Sequence, residues 1–245
     1  MTINYGHRGA SGYLPENTMV AFEKAVEMGA TGIETDVQMT KDGILVLIHD
    51  ENVNRTTHDV GLVKDFTYKE LKKLNASNYM KNYSNRTEIP TVEEFITFAK
   101  EKNITVNFEI KSGVILYPQI EEKLINLIYK EDFEKQVILS NFNHYSIVKC
   151  KEISKEIRTG ILYMEALYRP EEYCKQVGAD GLHPYYYAVN KDILESAHKE
   201  GLMVNPFTVN DENTMKVLLS IGVDGIITNY PDKLNKIMED FYGKA

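Results

Sequence analysis

Two cysteines in 245 residues are too few for a disulfide framework, and Cys150 and Cys174 stand at no metal-type spacing. Their neighbours read as helical, which fits buried thiols in a reducing compartment. Met1 to His7 has no basic stretch leading into an apolar core, so no secretory signal is read there and the cytoplasm is the expected location. The longest aliphatic stretch near the start, Ile44 to Ile48, is far too short to span a bilayer. Positive charge is scarce: 28 Lys and Arg stand against 36 Asp and Glu, for a net charge of −8. An acidic chain without a basic run suits neither nucleic acid nor an anionic membrane. A phosphate handled here must be met by a few local Lys or Arg, or by a metal ion. Tryptophan is absent, and no Pro-, Ser- or Gly-rich linker divides the chain.

What is present is a rhythm of short apolar strands and helical stretches. Strands are predicted at Ile3 to Tyr5, Gly32 to Val37, Thr105 to Ile110, Gln136 to Leu139, Thr159 to Leu162, Gly181 to His183, Met203 to Thr208 and Gly225 to Thr228. Helices are predicted after them, from about Asn17 to Met28, then Thr91 to Lys102, Pro118 to Tyr129, Tyr145 to Ile153, Pro170 to Val177, Lys191 to Lys199, Asp211 to Leu219 and Pro231 to Phe241. Strand–helix alternation implies a parallel sheet with helices outside it. About eight such units in this length suit an α/β fold of the closed (β/α)8 TIM-barrel type, as one domain over residues 1–245. Gly29-Ala30-Thr31-Gly32, Gly178-Ala179-Asp180-Gly181 and Gly222-Val223-Asp224-Gly225 each sit between a helix and a strand. The first glycine suits a left-handed helix end, and the second is expected to ease a tight turn into the strand.

One stretch breaks the rhythm. Ile44 to His49 is strand-like, but about Glu51 to Pro90 is polar, with Lys69 to Leu74 its only helical-looking piece. That is too long for an ordinary connection. An insertion after a barrel strand sits on the C-terminal face, so it is expected to form a small cap over the site.

Chemistry in a barrel gathers at strand C-terminal ends. His7 and Arg8 end the first strand, Glu34 and Asp36 lie on the second, His49 and Asp50 end the next run, and Glu109 and Lys111 lie on the third barrel strand. Side chains two apart on a strand share a face, so both pairs can point inward. Three close carboxylates call for a divalent cation, and all-oxygen ligands favour Mg²⁺, Ca²⁺ or Mn²⁺ over zinc. His7 and His49 titrate near neutrality and suit a general acid–base pair; Arg8 and Lys111 suit an anion. Together these describe a phosphoryl-transfer site. Each residue alone has a plainer reading as an ion pair, a solvated carboxylate or a structural histidine. His58, His144 and His198 are read that way, while strand-end His183 is open between structure and substrate.

The motifs resemble the glycerophosphodiester phosphodiesterase family. His7-Arg8-Gly9-Ala10 with Pro15-Glu16-Asn17-Thr18 is similar to its opening signature, and Glu34-Thr35-Asp36-Val37, His49-Asp50 and Arg55-Thr56-Thr57 to its second block. Glu109-Ile110-Lys111, His183-Pro184, Thr208-Val209-Asn210 and Asp224-Gly225-Ile226-Ile227-Thr228-Asn229 look like later landmarks. The resemblance runs nearly end to end and is most specific in the first fifty residues. It implies a TIM barrel with a small insertion, one divalent cation, and hydrolysis of a small-molecule glycerophosphodiester to glycerol 3-phosphate and an alcohol. It implies Glu34, Asp36 and Glu109 as metal ligands, His7 and His49 as the catalytic pair, and Arg8 and Lys111 as phosphate contacts, with His183 and Phe207 at the substrate. Glu16 looks like a site residue bound to the metal or supporting Arg8, or a first-turn carboxylate of the helix. Asn17 is expected as a cap of that helix, if not a site residue.

The sequence departs from the family pattern at Phe207, where Trp is usual, and at Asn141-Phe142, where Ser-Phe is common. Phe207 keeps an apolar wall for the glycerol or alcohol but has no indole N–H. These changes bear on substrate range. Two other functions use the same residues: a lysophospholipase D, with Tyr68, Tyr79, Met80 and Tyr83 of the insertion near the lipid, or a barrel that binds a phosphodiester without turnover. The insertion has no continuous apolar helix to dip into a membrane.

Overall fold

The computed structural model describes residues 1–243. The chain alternates strand and helix from β1 (Ile3–His7) and α1 (Met19–Glu27) to β2 (Gly32–Met39), then leaves the pattern through β3 (Leu45–Leu47) and two single-turn helices, α2 (Asn54–Thr57) and α3 (Tyr68–Leu71). It resumes with α4 (Val92–Lys102), β4 (Thr105–Ile110), α5 (Ile120–Lys130), β5 (Val137–Asn141), α6 (His144–Ile153), β6 (Arg158–Tyr163) and α7 (Pro170–Val177). β7 (Gly181–Pro184), α8 (Lys191–Lys199), β8 (Met203–Val204), α9 (Glu212–Ile221), β9 (Gly225–Thr228) and α10 (Pro231–Tyr242) complete it.

The strands lie in the order β8-β7-β6-β5-β4-β2-β1-β9, each paired parallel to its neighbour, and β3 pairs antiparallel to β2. Asp224 N–H donates to the Val204 carbonyl, Ile227 N–H to that of Pro206, and Val209 N–H to that of Ile227, joining β8 to β9. The eight parallel strands therefore make a nearly closed (β/α)8 barrel. The seam is thin because Pro206 has no N–H to donate. The strand expected over Met203 to Thr208 ends at Val204, although Asn205 and Phe207 still donate to the Leu182 and Pro184 carbonyls of β7.

Alternation along each strand sorts side chains. Ile33 and Val37 of β2, Val106, Phe108 and Ile110 of β4, and Val137 and Leu139 of β5 face outward, into one buried cluster with Phe22, Phe95, Ile96, Leu124 and Ile128 of the helices. Ile161, Leu182, Val204 and Ile226 do the same in a second cluster with Leu194, Met215, Leu218 and Leu234. The residues between them, Glu34, Asp36, Asn107 and Glu109 among them, point into the barrel. Fully burying each large apolar side chain contributes about 1.5–3 kcal/mol, so the two outer clusters hold polar interior positions in place.

The repeated glycines act partly as expected. Gly29, Gly178 and Gly222 end helices with φ of +87°, +77° and +91°. Gly32 and Gly225 do not adopt positive φ; they make room. A Cβ on either would lie 2.6 Å from the ring of Tyr5, which is fully buried inside the barrel.

β3 folds back on β2, with Val37 opposite Leu47, and carries His49 to the barrel mouth. Residues 51–90 then pack Val53, Val63, Leu71, Ala76 and Ile89 against Val46 and Ile48 in a small core of their own. Sequence periodicity missed α2 because its four residues, Asn54 to Thr57, show no repeat. The return is pinned where Leu47 N–H donates to the Pro90 carbonyl, and α4 starts at once with a reciprocal Thr91–Glu94 cap.

Candidate active site

Register brings the acidic residues together. Asp36 of β2 pairs with Glu109 of β4, so Glu34, Asp36 and Glu109 share the mouth of the barrel. Each offers an oxygen, and these atoms lie within 4.8 Å of one another. Burial pushes the Glu34 carboxyl up, and the charges of Asp36 and Glu109 push it further. Glu109 is likewise raised by burial and Asp36, against the pull of Lys111. Burial opposes ionisation of Asp36 too, but Arg8 and Lys111 hold it well below the usual carboxylate range.

Two cations already touch this cluster. Arg8 Nε lies 3.2 Å from Asp36 Oδ2, and Lys111 Nζ lies 2.7 Å from Glu109 Oε1 and 3.8 Å from Asp36 Oδ1. Arg8 sits at φ +54°, an uncommon conformation for a residue with a side chain. It is held there by its N–H, which donates 2.8 Å to the Glu34 carbonyl.

The histidines flank the carboxylates in unlike surroundings. His7 Nδ1 is 2.6 Å from the side-chain oxygen of Asn229, which Ser11 also engages, and its Nε2 is 3.8 Å from Glu34. Burial and then the Arg8 charge push His7 down to about 3. An amide oxygen can only accept, so His7 carries its proton on Nδ1 and presents a bare Nε2. His49 Nδ1 instead meets the Asp50 carboxylate at 2.6 Å, and its Nε2 lies 3.2 Å from Lys111.

Outside this ring stands a chain of charge. Arg8 Nη1 donates to Glu16 at 2.9 Å. Arg55, from α2, grips both oxygens of Glu16 at 2.7 and 2.8 Å and both oxygens of Asp50 at 2.7 and 3.0 Å. The Tyr79 hydroxyl accepts from the Glu16 N–H. Burial works against the Glu16 charge, but Arg55 and Arg8 hold its carboxyl low.

Several sequence expectations shift here. Glu16 lies before α1, outside its first turn; among the described residues it is not one of the clustered triad, and its Oε1 accepts from Arg8. Asn17 does not cap α1, a position that Thr18 takes. Its amide donates to Asp36 Oδ2 at 2.8 Å, and its oxygen accepts from Thr35 at 2.7 Å. His183 is fully buried: its ring fills the space beside Gly160, where a Cβ would come within 2.5 Å, and Nε2 meets Asn205. Burial pushes it down to about 3. It lies inside the barrel and is not among the residues that line the cavity at the triad. Phe207 does line that cavity, with His7, Glu34, Glu109, Ser140 and Leu162. Phe142 and Tyr185 pack edge-on against it at 5.8 and 6.0 Å.

Sequence reasoning gave no role to Asp50, Arg55 or Asn229. Asn229 was within reach of strand parity, since it continues the inward set Gly225, Ile227. Arg55 stands on a turn with no periodic signal.

Residues 7–233 match the Glycerophosphoryl diester phosphodiesterase family. The chain is 45% identical over 233 residues to a glycerophosphodiester phosphodiesterase of Caldanaerobacter subterraneus subsp. tengcongensis, covering 95% of this chain and 96% of that one. It is 41% identical over 243 residues to a glycerophosphodiester phosphodiesterase of Bacillus altitudinis, covering 98% and 99%. Among solved structures, an Oleispira antarctica phosphodiesterase in complex with the product sn-glycerol-3-phosphate superposes with a TM-score of 0.88 at 28% identity, covering 96% of each chain.

Proposed function

The chain belongs to the glycerophosphoryl diester phosphodiesterase family, and we propose that it is a metal-dependent hydrolase of glycerophosphodiesters, releasing glycerol 3-phosphate and an alcohol. The observation that carries this reading is the buried Glu34–Asp36–Glu109 cluster with a histidine on either side. The product held by the Oleispira antarctica relative supports the same substrate class.

The three carboxylates fit a divalent cation. All donors are oxygen, and Asp36 Oδ1 is buried without a hydrogen-bond partner. Mg²⁺, Ca²⁺ or Mn²⁺ bound there would draw charge from a phosphoryl oxygen and acidify the attacking hydroxyl. Arg8 and Lys111 stand beside the cluster and stabilise the charge that builds at phosphorus. His7 presents a bare Nε2 and takes the proton from the nucleophile, which is water or the glycerol hydroxyl next to the ester. His49 is the acid. Of the pair, only His49 has a carboxylate, that of Asp50, on its Nδ1, and this contact is the observation behind the assignment. Phe207, with Phe142 beside it, forms the apolar wall against the alcohol or glycerol.

We treat the chain as one barrel whose insertion caps the site. Two buried free thiols, Cys150 and Cys174, support the cytoplasm as its location. Among the described residues no helix is long and apolar enough to cross a membrane.

A lysophospholipid is the second substrate reading, favoured by the exposed Phe142 and Tyr187 near the mouth. Initial rates on glycerophosphocholine and lysophosphatidylcholine separate the two. The primary test is release of glycerol 3-phosphate from glycerophosphocholine, with EDTA and then with each cation restored. Activity lost to EDTA and rescued by one cation supports the proposal. Binding without release under any cation would leave a phosphodiester-binding barrel instead.

A further inference from the structure

Asp50 binds two side chains among the described residues, His49 and Arg55. Its Oδ1 is shared between them, 2.6 Å from His49 Nδ1 and 3.0 Å from Arg55 Nη2. Without Arg55 the carboxylate would be free to rotate about its own side chain. Arg55 cannot rotate easily itself, because its other edge is locked on Glu16. Glu16 is fixed in turn by Arg8 and, at its N–H, by Tyr79. A lone surface ion pair contributes little, but a planar guanidinium gripping two carboxylates at once has one geometry that satisfies both.

We propose that Arg55 is a positioning residue for catalysis: braced on Glu16, it fixes through Asp50 the ring orientation and tautomer of His49. Arg55 comes from the insertion, not from a barrel strand, so the insertion completes the acid half of the site as well as covering it. The inference rests on the reading of His49 as the proton donor.

The test compares two leaving groups. Choline leaving from glycerophosphocholine needs a proton; p-nitrophenolate leaving from the p-nitrophenyl ester of glycerol 3-phosphate does not. R55Q is expected to lower kcat on glycerophosphocholine about 10- to 100-fold, with KM and calcium affinity little changed. On the nitrophenyl ester its kcat stays within about threefold of the parent, because the acid has little to do. R55K keeps the charge without the fork and shows the same pattern. An equal loss on both esters, or a loss of calcium binding, overturns the proposal. Where R55Q does not fold, D50N replaces it with the same expected pattern. H49A alone tests the acid role: an equal loss on both esters removes that reading. The double variant R55Q/H49A keeps the two questions apart. If Arg55 acts through His49 the double variant is no slower than H49A, and a further loss overturns the proposal whatever His49 does.

Discussion

The side-chain amide of Asn17 donates to Asp36 Oδ2 across 2.8 Å, from a residue held at φ +55° by the loop before α1. One oxygen of Asp36 is thus occupied and aimed, while the other has no hydrogen-bond partner. Removing the amide lets the carboxylate turn. N17A is expected to weaken divalent-cation affinity about 10- to 100-fold, the usual cost of losing a group that orients a ligand. Calorimetric titration with Ca²⁺ and Mg²⁺ checks this; unchanged affinity for both would show that Asn17 serves the fold alone.

The histidine pair makes the reaction class testable. H7A and H49A are each expected to lower kcat about 10²- to 10⁴-fold while circular dichroism stays that of the parent. Near-normal turnover in both would remove the acid–base assignment.

Acidity and cation binding are coupled through Glu34 and Glu109. Both hold protons in the folded chain at a pH where the unfolded chain has lost them, since burial and neighbouring carboxylates raise them. The folded state then binds more protons, so stability of the cation-free protein falls as pH rises above the ordinary glutamate value of 4.5. Asp36 works the other way: its carboxyl is lowered, and its contribution is lost as pH falls below the ordinary 3.8. A bound cation relieves the repulsion, so the Tm gain on adding Ca²⁺ or Mg²⁺ is expected to grow from pH 4.5 towards neutrality. Scanning calorimetry with EDTA or cation across that range measures it; a gain independent of pH would contradict the coupling.

Phe207 is expected to act on binding more than on chemistry. F207A should raise KM for glycerophosphocholine about two- to tenfold, equivalent to about 0.5–1.5 kcal/mol of aromatic contact, with kcat nearly constant. A fall in kcat with KM unchanged would place the ring against the transition state instead.

Gly160 tests the barrel interior. A methyl group there meets the His183 ring at 2.5 Å, so G160A is expected to destabilise by about 1–3 kcal/mol. Urea denaturation checks it, and an unchanged midpoint would mean that His183 has room to move.

The barrel was legible because its signals are local and repeated. Strand and helix alternate with turn glycines between them, and two-residue spacing put Glu34 with Asp36 and Glu109 with Lys111. What was not legible depends on register and on irregular backbone. The pairing of Asp36 with Glu109 is a property of β2 lying beside β4. The part played by Asn17 needs a left-handed residue where the sequence suggests a helix cap. Arg55 reaches Asp50 only because β3 turns back along β2 and the insertion folds over it. His183 stands at a strand end, as a site residue would, yet the missing Cβ of Gly160 draws its ring into the barrel.

Every charged group of the proposed site lies between His7 and Lys111, whereas Ser140, Leu162 and Phe207, from β5, β6 and the segment after β8, line the rest of the cavity. The chain thus divides its labour along its length. Substitution at those lining positions, Asn229 on His7 left alone, can widen, narrow or recoat the recess while the reactive apparatus stays intact, so new specificities are open to drift and selection without an inactive ancestor between them. For protein engineering the same asymmetry recommends libraries confined to the loops after β5, β6, β7 and β8.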